Sequence, residues 1–422
     1  MKHRFAILVL LALPAAAAPA QLLPQLPGVQ LPQLPGDLLQ QPVRQATQLV
    51  DRTAAAALEQ TRRQRLAAFL DDNRATVAPD DRGFPAVRGE VLLASPAPDD
   101  IARLTGRGFT VIDDRTIAGL GLRTVRLATP DGMTLNKALK LARRIAGDRI
   151  SADNLHFRSG EAGAAMPLAI GLARDHLAPA PPVRIGMIDG GVAATPLIPP
   201  RVTQQGFAVG APAPDPHATA VASLLIGNGK VRGADPGAYL FAADVYGRDP
   251  AGGGALAIAR ALGWMIDNRV KVVTISLVGP SNTLLARAVA LAEGKGLTIV
   301  AAVGNDGPAV PPAYPASYPG VLAITGVDAH DKVLVEAGHA LHLDYAAPGA
   351  DMLAAAPGSG TAPVRGTSFA APLAAGRLAA LMAVDGDEAR RALDREAIDL
   401  GPKGPDKTYG RGLVCGNCAT RP

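Results

Sequence analysis

The sequence predicts an α/β fold, a parallel sheet with helices on both faces, preceded by a small α+β domain. The main observation is a series of apolar runs that alternate with helical segments. The runs cover residues 183–188, 239–245, 270–277, 297–303 and 321–327. The helical segments cover residues 218–225, 255–267, 284–293 and 369–382. Such runs are typical of buried parallel strands, whose carboxyl ends carry the functional side chains.

A second pattern, over residues 83–160, predicts the small domain. Its strands are expected at 90–93, 109–112 and 123–127, its helices at 99–105 and 135–145, and a short extended piece follows. This order of elements is that of a ferredoxin-like domain. No group of catalytic side chains occurs in it, and His156 is interpreted as a surface or interface histidine rather than a ligand.

The N-terminus has the composition of a signal peptide, residues 1–20. Basic residues precede an apolar run at 5–13, and small residues follow at 18–20. Residues 21–42 repeat Leu-Pro-Gln-Leu-Pro-Gly and are interpreted as a Pro-rich linker, and residues 43–82 as an amphipathic helical segment. We find no later run suited to a transmembrane anchor and therefore expect a secreted or periplasmic protein.

Charge and cysteine content narrow the function further. The 422 residues carry a formal net charge of +5 without a dense basic run, which argues against nucleic acid as a partner. The two cysteines, Cys415 and Cys418, form a Cys-x-x-Cys pair. In an exported chain this pair favours a small disulfide loop over a redox site, and no zinc ligands accompany it.

Three polar residues stand where a parallel sheet exposes functional groups. Asp189 ends the first apolar run, and His217 and Ser368 each begin a helix. Singly, they have simpler interpretations: a turn cap, an exposed histidine and a helix N-cap. Together they are the residue types that supply a nucleophile, its general base and a group that orients the base.

The order Asp, His, Ser and the motifs around these residues resemble the subtilisin-like serine proteases, the subtilases, over roughly residues 182–414. The serine motif is Gly-Thr-Ser-Phe-Ala-Ala-Pro at 366–372. A second motif is Ala-Ala-Val-Gly-Asn-Asp-Gly-Pro at 301–308. Shorter similar stretches occur at 275–280, 314–316, 347–349 and 409–412.

This resemblance implies a serine endopeptidase domain over residues 161–422, acting on protein or peptide substrates through an acyl-enzyme. Asp189, His217 and Ser368 would form its catalytic triad, and Asn305 would donate to the oxyanion. The residues expected to border the primary specificity pocket and to pair with the substrate backbone are Ser276, Leu277, Val278 and Gly279. The preceding region, 83–160, resembles the family's inhibitory propeptide, so we expect self-processing between about residues 157 and 182 of the chain.

Two positions depart from the family pattern. Ala218 follows the histidine where the family usually has glycine, and we expect activity to survive if the backbone there is helical. Val278 stands where many subtilases have glycine, and its branched side chain should narrow the primary specificity pocket.

Two other classes of protein fit the sequence less well. A catalytically silent binding protein could keep this fold, but it would not need the complete triad and Asn305. A nucleotide-binding protein would need a Gly-rich fingerprint, which neither 189–192 nor 252–254 provides, and the latter glycines predict a flexible loop beside the cleft. The resemblance implies no required cofactor; calcium is common in the family, but no metal ligands can be assigned.

Overall fold

The computed structural model describes residues 56–159, 161–162, 182–358 and 360–421. The predicted signal peptide (1–20) and the Pro-rich linker (21–42) lie outside these residues. Of residues 161 and 162 the structure describes the backbone alone.

The N-terminal part begins with helix α1, described over residues 56–72, and continues with a two-stranded ribbon and a four-stranded sheet. The strands are β1 (Val77–Pro79), β2 (Pro85–Val87), β3 (Glu90–Ala94), β4 (Thr110–Ile117), β5 (Leu122–Ala128) and β6 (Ile150–Ser151). The helices are α2 (Asp100–Thr105) and α3 (Leu135–Ala146). The larger sheet is antiparallel in the order β4-β5-β3-β6.

The expectation of a helical segment over residues 43–82 is wrong at its end. Val77 and Ala78 are buried in β1, which pairs antiparallel with β2. Ala78 and Ala86 of this ribbon join the core of the small domain. Burial of these side chains against that core stabilises the strands more than the local helical spacing would stabilise a helix.

Strand β3 is buried on both faces, which explains how the small sheet is attached to the rest of the protein. Val91 and Leu93 face the core beneath α3. Because successive side chains alternate in a strand, Leu92 and Ala94 face the other way, into a core shared with the large domain. The small sheet therefore docks by its open face.

The large domain is built on a seven-stranded parallel sheet in the order β10-β11-β9-β12-β14-β15-β16. Two short strands precede it, β7 (Phe157–Arg158) and β8 (Glu161–Ala162). The large-domain strands are β9 (Arg184–Asp189), β10 (Val202–Gly206), β11 (Tyr239–Asp244), β12 (Val272–Ile275), β13 (Leu277–Val278), β14 (Thr298–Ala302), β15 (Leu322–Val327), β16 (Tyr345–Pro348), β17 (Met352–Ala355) and β18 (Thr361–Arg365).

Helices cover both faces of this sheet. They are α4 (Pro216–Ile226), α5 (Ala255–Asp267), α6 (Thr283–Gly294), α7 (Thr367–Asp385) and α8 (Ala389–Glu396). In β9, Ile185 and Met187 pack with the core formed by α4 and α7. Ile188 packs with the core formed by α5 and α6. The predicted fold class, a parallel sheet with helices on both faces, is confirmed.

The two edge strands of the sheet, β10 and β16, were not predicted. The sequence of β10 is Val-Thr-Gln-Gln-Gly, and its residues are exposed or half-buried. An edge strand has one neighbour and needs no continuous apolar run, so its sequence resembles that of a loop. Strand β16 is buried, but its sequence, Tyr-Ala-Ala-Pro, contains alanine and proline, which are depleted in strands.

A disulfide joins Cys415 and Cys418, as predicted for an exported chain. By length and apolar composition, the helical stretch Thr367–Glu396 could cross a membrane. However, 72% of its apolar window is buried inside the protein, as is usual for a core helix.

Candidate active site

Three elements bring the predicted triad residues to the carboxyl edge of the sheet. Asp189 is the last residue of β9, an interior strand of the sheet. His217 lies in the first turn of α4, after Pro216. Ser368 lies in the first turn of α7, after Gly366, whose φ of 136° favours glycine because a Cβ would be strained there.

The three side chains form a continuous hydrogen-bonded row. The Nε2 atom of His217 lies 2.9 Å from the Oγ of Ser368. Its Nδ1 atom lies 2.9 Å from Oδ2 of Asp189. Neither of the latter two atoms has another hydrogen-bond partner among the described residues. The backbone N–H of Gly190 donates to the second oxygen, Oδ1, of Asp189 at 2.7 Å.

Asp189 is fully buried, yet it remains a carboxylate. Burial alone would raise its pKa, but interactions with His217 and with the guanidinium of Arg158 hold the pKa below the ordinary value. A buried carboxylate of this kind fixes the imidazole so that Nδ1 carries the proton and Nε2 is free to accept one from the serine hydroxyl.

Two donors converge on a single carbonyl oxygen, that of Ser159. The side-chain amide of Asn305 donates to it through Nδ2. The backbone N–H of Ser368 donates to it at 3.2 Å. Oδ1 of Asn305 in turn accepts from the N–H of Thr367 at 2.9 Å, which fixes the orientation of the amide. This is the arrangement required of an oxyanion hole, with a peptide carbonyl already in it.

The residues before Ser159 lie in the cleft as an extended strand. Strand β7 pairs antiparallel with β13, Arg158 opposite Leu277 and Phe157 opposite Val278. The N–H of Ser159 donates to the carbonyl of Ser276 at 3.2 Å. We call residues 155–159 the crossing strand.

The opposite edge of the crossing strand pairs with the glycines at 252–254. The N–H of His156 donates to the carbonyl of Gly253 at 2.9 Å, and Leu155 bridges to Gly254. These glycines, expected to form a flexible loop, therefore act as a strand edge. Beyond Ser159, β8 pairs antiparallel with β18, so the chain contacts the large domain on both sides of the triad.

The four residues at 276–279, which were predicted to contact the substrate, all lie beside the crossing strand. The Oγ of Ser276 donates to the carbonyl of Ser368 at 2.8 Å. Leu277 is buried, and Val278 points towards Gly304, with its Cγ1 3.3 Å from where a Cβ on that glycine would lie. A Cβ on Gly279 would lie 2.5 Å from the ring of His156, so this position requires glycine.

His156 packs its ring against Gly279, so the expectation that it could be a surface residue is wrong. His156 is fully buried where the crossing strand meets the large domain. Burial lowers the pKa of His156 to about 4, so the ring is neutral. Its Nδ1 lies 3.1 Å from the carbonyl of Asn154. The residue is therefore an interface histidine, the second of the two expectations.

A cavity of about 650 Å³ lies beside the crossing strand and is covered by helix α1. Its walls include Val278 and Asn305 from the large domain and Leu58 from α1. Arg65 of α1 forms an ion pair with Asp306. Helix α1 also places Phe69 against Phe157 of the crossing strand, with the ring centroids 5.1 Å apart.

The departure at Ala218 is compatible with the fold. Ala218 lies inside α4, fully buried, and its N–H donates to the side chain of Asp215 at 3.0 Å. A helical backbone accepts alanine without strain, and the methyl group is part of the core formed by α4 and α7.

Among the described residues, one group of three could hold a metal ion: Asp189, Asp215 and His217. It does not suit calcium, because His217 is a nitrogen ligand and calcium prefers oxygen. The guanidinium of Arg158 also lies against the two carboxylates, 2.8 Å from Asp215 and 3.7 Å from Asp189. This group is best described as a cation-binding corner of the cleft.

Comparison with known proteins identifies the family. Residues 207–412, which include His217, Asn305 and Ser368, match the Subtilase family. Subtilisin BL of Lederbergia lenta is 33% identical over 251 residues, which are 57% of this chain and 91% of that protein. The chain belongs to the subtilase family. This subtilase is a serine endopeptidase, as its family and its subtilisin relatives indicate.

Two further comparisons, one with a relative and one with a solved structure, show how much of the chain is similar to known proteins. Minor extracellular protease Epr of Bacillus subtilis is 31% identical over 207 residues, 47% of this chain and 32% of that protein. The crystal structure of fervidolysin from Fervidobacterium pennivorans, a keratinolytic enzyme related to subtilisin, has a TM-score of 0.64 and 19% identity, covering 78% of this chain and 60% of that one. The second likeness supports the fold alone.

Sequence analysis missed two side chains of this subtilase that lie in the cleft, Asp215 and Tyr246. Asp215 precedes the histidine by two residues and looks like an ordinary helix N-cap, which it also is. Tyr246 follows β11 and its ring lies 4.1 Å from the guanidinium of Arg158. The sequence feature that could have pointed to these two residues is Arg158, just before Ser159. It indicates a binding partner in the cleft only once the position of the crossing strand is known.

Proposed function

We propose that this protein is exported as an inactive precursor and cleaves its own chain between Ser159 and Gly160. In this proposal Ser368 is the nucleophile, His217 the general base, Asp189 the residue that orients the base, and Asn305 an oxyanion donor. The observation that supports it is the carbonyl of Ser159, which accepts hydrogen bonds from both Asn305 and the N–H of Ser368.

The chemistry follows from these positions. The Oγ of Ser368 attacks the carbonyl carbon of Ser159 while His217 takes the hydroxyl proton at Nε2. The carbonyl oxygen becomes an anion, which Asn305 and the N–H of Ser368 stabilise. His217 then protonates the departing amine of Gly160. Water attacks the resulting ester, with His217 again accepting a proton, and releases the carboxylate of Ser159. No step uses a cofactor.

The N-terminal part would inhibit the enzyme until it is removed. The crossing strand fills the cleft on both sides of the triad, and helix α1 covers the adjacent cavity. The small sheet also buries Leu92 and Ala94 in a core shared with the large domain, which would hold it in place after cleavage. The partners that we propose are therefore protein or peptide substrates and this protein's own propeptide as an intramolecular inhibitor.

Export is supported by the signal-like residues 1–20 and by the disulfide between Cys415 and Cys418. One relative is named as an extracellular protease. Purification of the secreted protein, followed by casein hydrolysis with and without a serine-directed phosphonate, tests the proposal as a whole. Casein left intact by a fully processed preparation would favour a catalytically silent binding protein.

The cleavage position is a separate prediction. We expect intact-mass measurement of the processed protein to reveal an N-terminal fragment that ends at Ser159, because the carbonyl of that residue lies in the oxyanion hole. The released fragment is the better readout, since later trimming of residues 160–181 would alter the N-terminus of the large domain but not the end at Ser159. A fragment ending elsewhere would contradict the assignment.

The primary pocket gives a prediction about specificity. We propose that Val278 narrows this pocket, since its side chain lies against Gly304. The enzyme should then prefer alanine, valine or leucine over phenylalanine and tyrosine before the scissile bond, by tens of fold, since such pockets discriminate by about 1 to 3 kcal/mol per methylene.

The Val278→Gly variant should relax this preference. The measurement is kcat/KM on matched peptides that end in leucine or phenylalanine before the scissile bond. A third peptide ending in alanine is the control, because its small side chain fits either pocket. If the parent cleaves the first two equally, or the glycine variant does not gain on phenylalanine, Val278 lies outside the pocket.

A further inference from the structure

The crossing strand carries an arginine immediately before Ser159, and its side chain turns into the cleft. The Nη2 of Arg158 lies 2.8 Å from Oδ2 of Asp215, and its Nε lies 3.7 Å from Oδ1 of Asp189. The guanidinium carbon lies 4.1 Å from the centroid of the Tyr246 ring, within the range of a cation–π contact. One side chain thus meets two carboxylates and an aromatic face.

All the groups around Arg158 belong to the large domain, so the corner would remain after the N-terminal part has been released. Asp189 ends β9, and Asp215 caps α4 by accepting from the N–H of Ala218. The hydroxyl of Tyr246 donates to the carbonyl of His156 at 2.7 Å. Any extended substrate presents a backbone carbonyl at that position, so the ring is held in place by a contact that is independent of sequence.

The charge of this corner favours a cation. The acceptor atoms of Asp189 and Asp215, together with a ring nitrogen of His217, all lie within 4.8 Å of one another. Burial and the charge of Asp189 raise the pKa of Asp215, whereas Arg158 lowers it. Among the described residues, Arg158 is the one cation that forms an ion pair with Asp215. A neutral substrate side chain would leave two close carboxylates without a counter-charge.

We propose that Asp215 and Tyr246 form a subsite that selects arginine as the second residue before the scissile bond. This inference rests on the proposed function and extends it from the precursor to substrates cleaved in trans. Arginine should exceed lysine, because a planar guanidinium can stack on the ring while it donates to a carboxylate, whereas an ammonium cannot. Together with the narrow primary pocket, the subsite selects arginine followed by a small residue.

The test uses the processed enzyme and two internally quenched peptides. The first has the sequence of residues 155–162, Leu-His-Phe-Arg-Ser-Gly-Glu-Ala. In the second, citrulline replaces arginine, which keeps the shape and removes the charge. A charge-assisted hydrogen bond and a cation–π contact should raise kcat/KM for the arginine peptide by about 10- to 100-fold. Equal kcat/KM values would mean that the contacts of Arg158 only dock the propeptide, and would overturn the subsite.

Variants separate the contribution of the Asp215 charge from that of the Tyr246 ring. Asp215→Asn keeps the helix cap, since asparagine caps as well as aspartate, and should reduce the ratio of the two kcat/KM values to about 3 or less. The ratio is taken within each variant, so a general change in catalysis cancels. Asp306→Asn is the matched control, because Asp306 pairs with Arg65 on the other side of the cleft, and it should keep the parent ratio. A parent-like ratio in Asp215→Asn would overturn the role of that carboxylate.

The ring is tested in the same way. Tyr246→Phe keeps the aromatic face and should retain most of the preference for arginine, while Tyr246→Leu should lose several-fold of it. Casein hydrolysis by each preparation distinguishes failure of the arginine subsite from failure of the proposed peptidase function. If casein is cleaved but the arginine and citrulline peptides are cleaved alike, the subsite fails and the peptidase remains. If nothing is cleaved, both fail.

Discussion

The Ser368→Ala variant should accumulate as an uncleaved precursor without measurable peptidase activity. The same hydroxyl is proposed to attack both the carbonyl of Ser159 and those of substrates, so one substitution removes both reactions. Loss of the nucleophile in an enzyme of this kind lowers kcat by about a million-fold. The expected product is a single chain that includes residues 159 and 160, detected by intact mass after secretion from a host that lacks other proteases.

The control for this experiment is Ser223→Ala. Ser223 is also fully buried, but it lies farther along α4, where its Oγ donates to the carbonyl of Ala220 and accepts from the N–H of Ala355. That variant should still be processed, although with some loss of stability. Maturation of Ser368→Ala at the same bond would refute self-processing and require a second protease.

The second large effect is expected for Asn305→Ala. Its Nδ2 donates to the carbonyl oxygen of Ser159, where negative charge would develop in the transition state. Removal of one oxyanion donor in this family lowers kcat by about 100- to 1,000-fold, or roughly 2.7 to 4 kcal/mol of transition-state stabilisation. KM should change little, because the donor matters more in the transition state than in the bound substrate.

A second substitution separates this effect from a change in loop structure. Asn305 also accepts from the N–H of Thr367 through Oδ1. Asn305→Asp keeps that acceptor and replaces the donor with a negative charge, so it should lose at least as much kcat as the alanine variant. If Asn305→Asp retained parent-like kcat, the asparagine would act on the loop alone and another group would supply the oxyanion donor.

The elements that could be predicted were those with a strong local pattern. Buried strands such as β9 and β12 are continuous apolar runs, and α5 was predicted with the bounds Ala255–Asp267 that it has in the structure. The ribbon strand β1 has only 3 residues and is held by burial against the core of the small domain, so its local pattern is weak. The edge strand β10 could not be predicted either, because it is held by pairing with the distant strand β11. Pairing partners far apart in the chain leave little trace in the local sequence.

The catalytic residues proposed for the site could also be predicted from the sequence. The order of Asp189, His217 and Ser368 and the motif around Asn305 indicated the family. These residues lie in motifs because each sits at a strand end or helix start whose backbone restricts the neighbouring residues. Gly366, with its φ of 136°, is one example.

The sequence alone thus determined the class of fold, the family and the residues proposed to react. Only the tertiary structure decided what lies in the cleft, since Ser159 is held by Asn305 and Ser368, which are each 146 residues or more from it in the chain. The same holds for the corner around Arg158: Asp189, Asp215 and Tyr246 come from three separate elements. A subsite of this kind has no local signal, because its charge and shape arise only when β9, α4 and the end of β11 meet at one edge of the sheet.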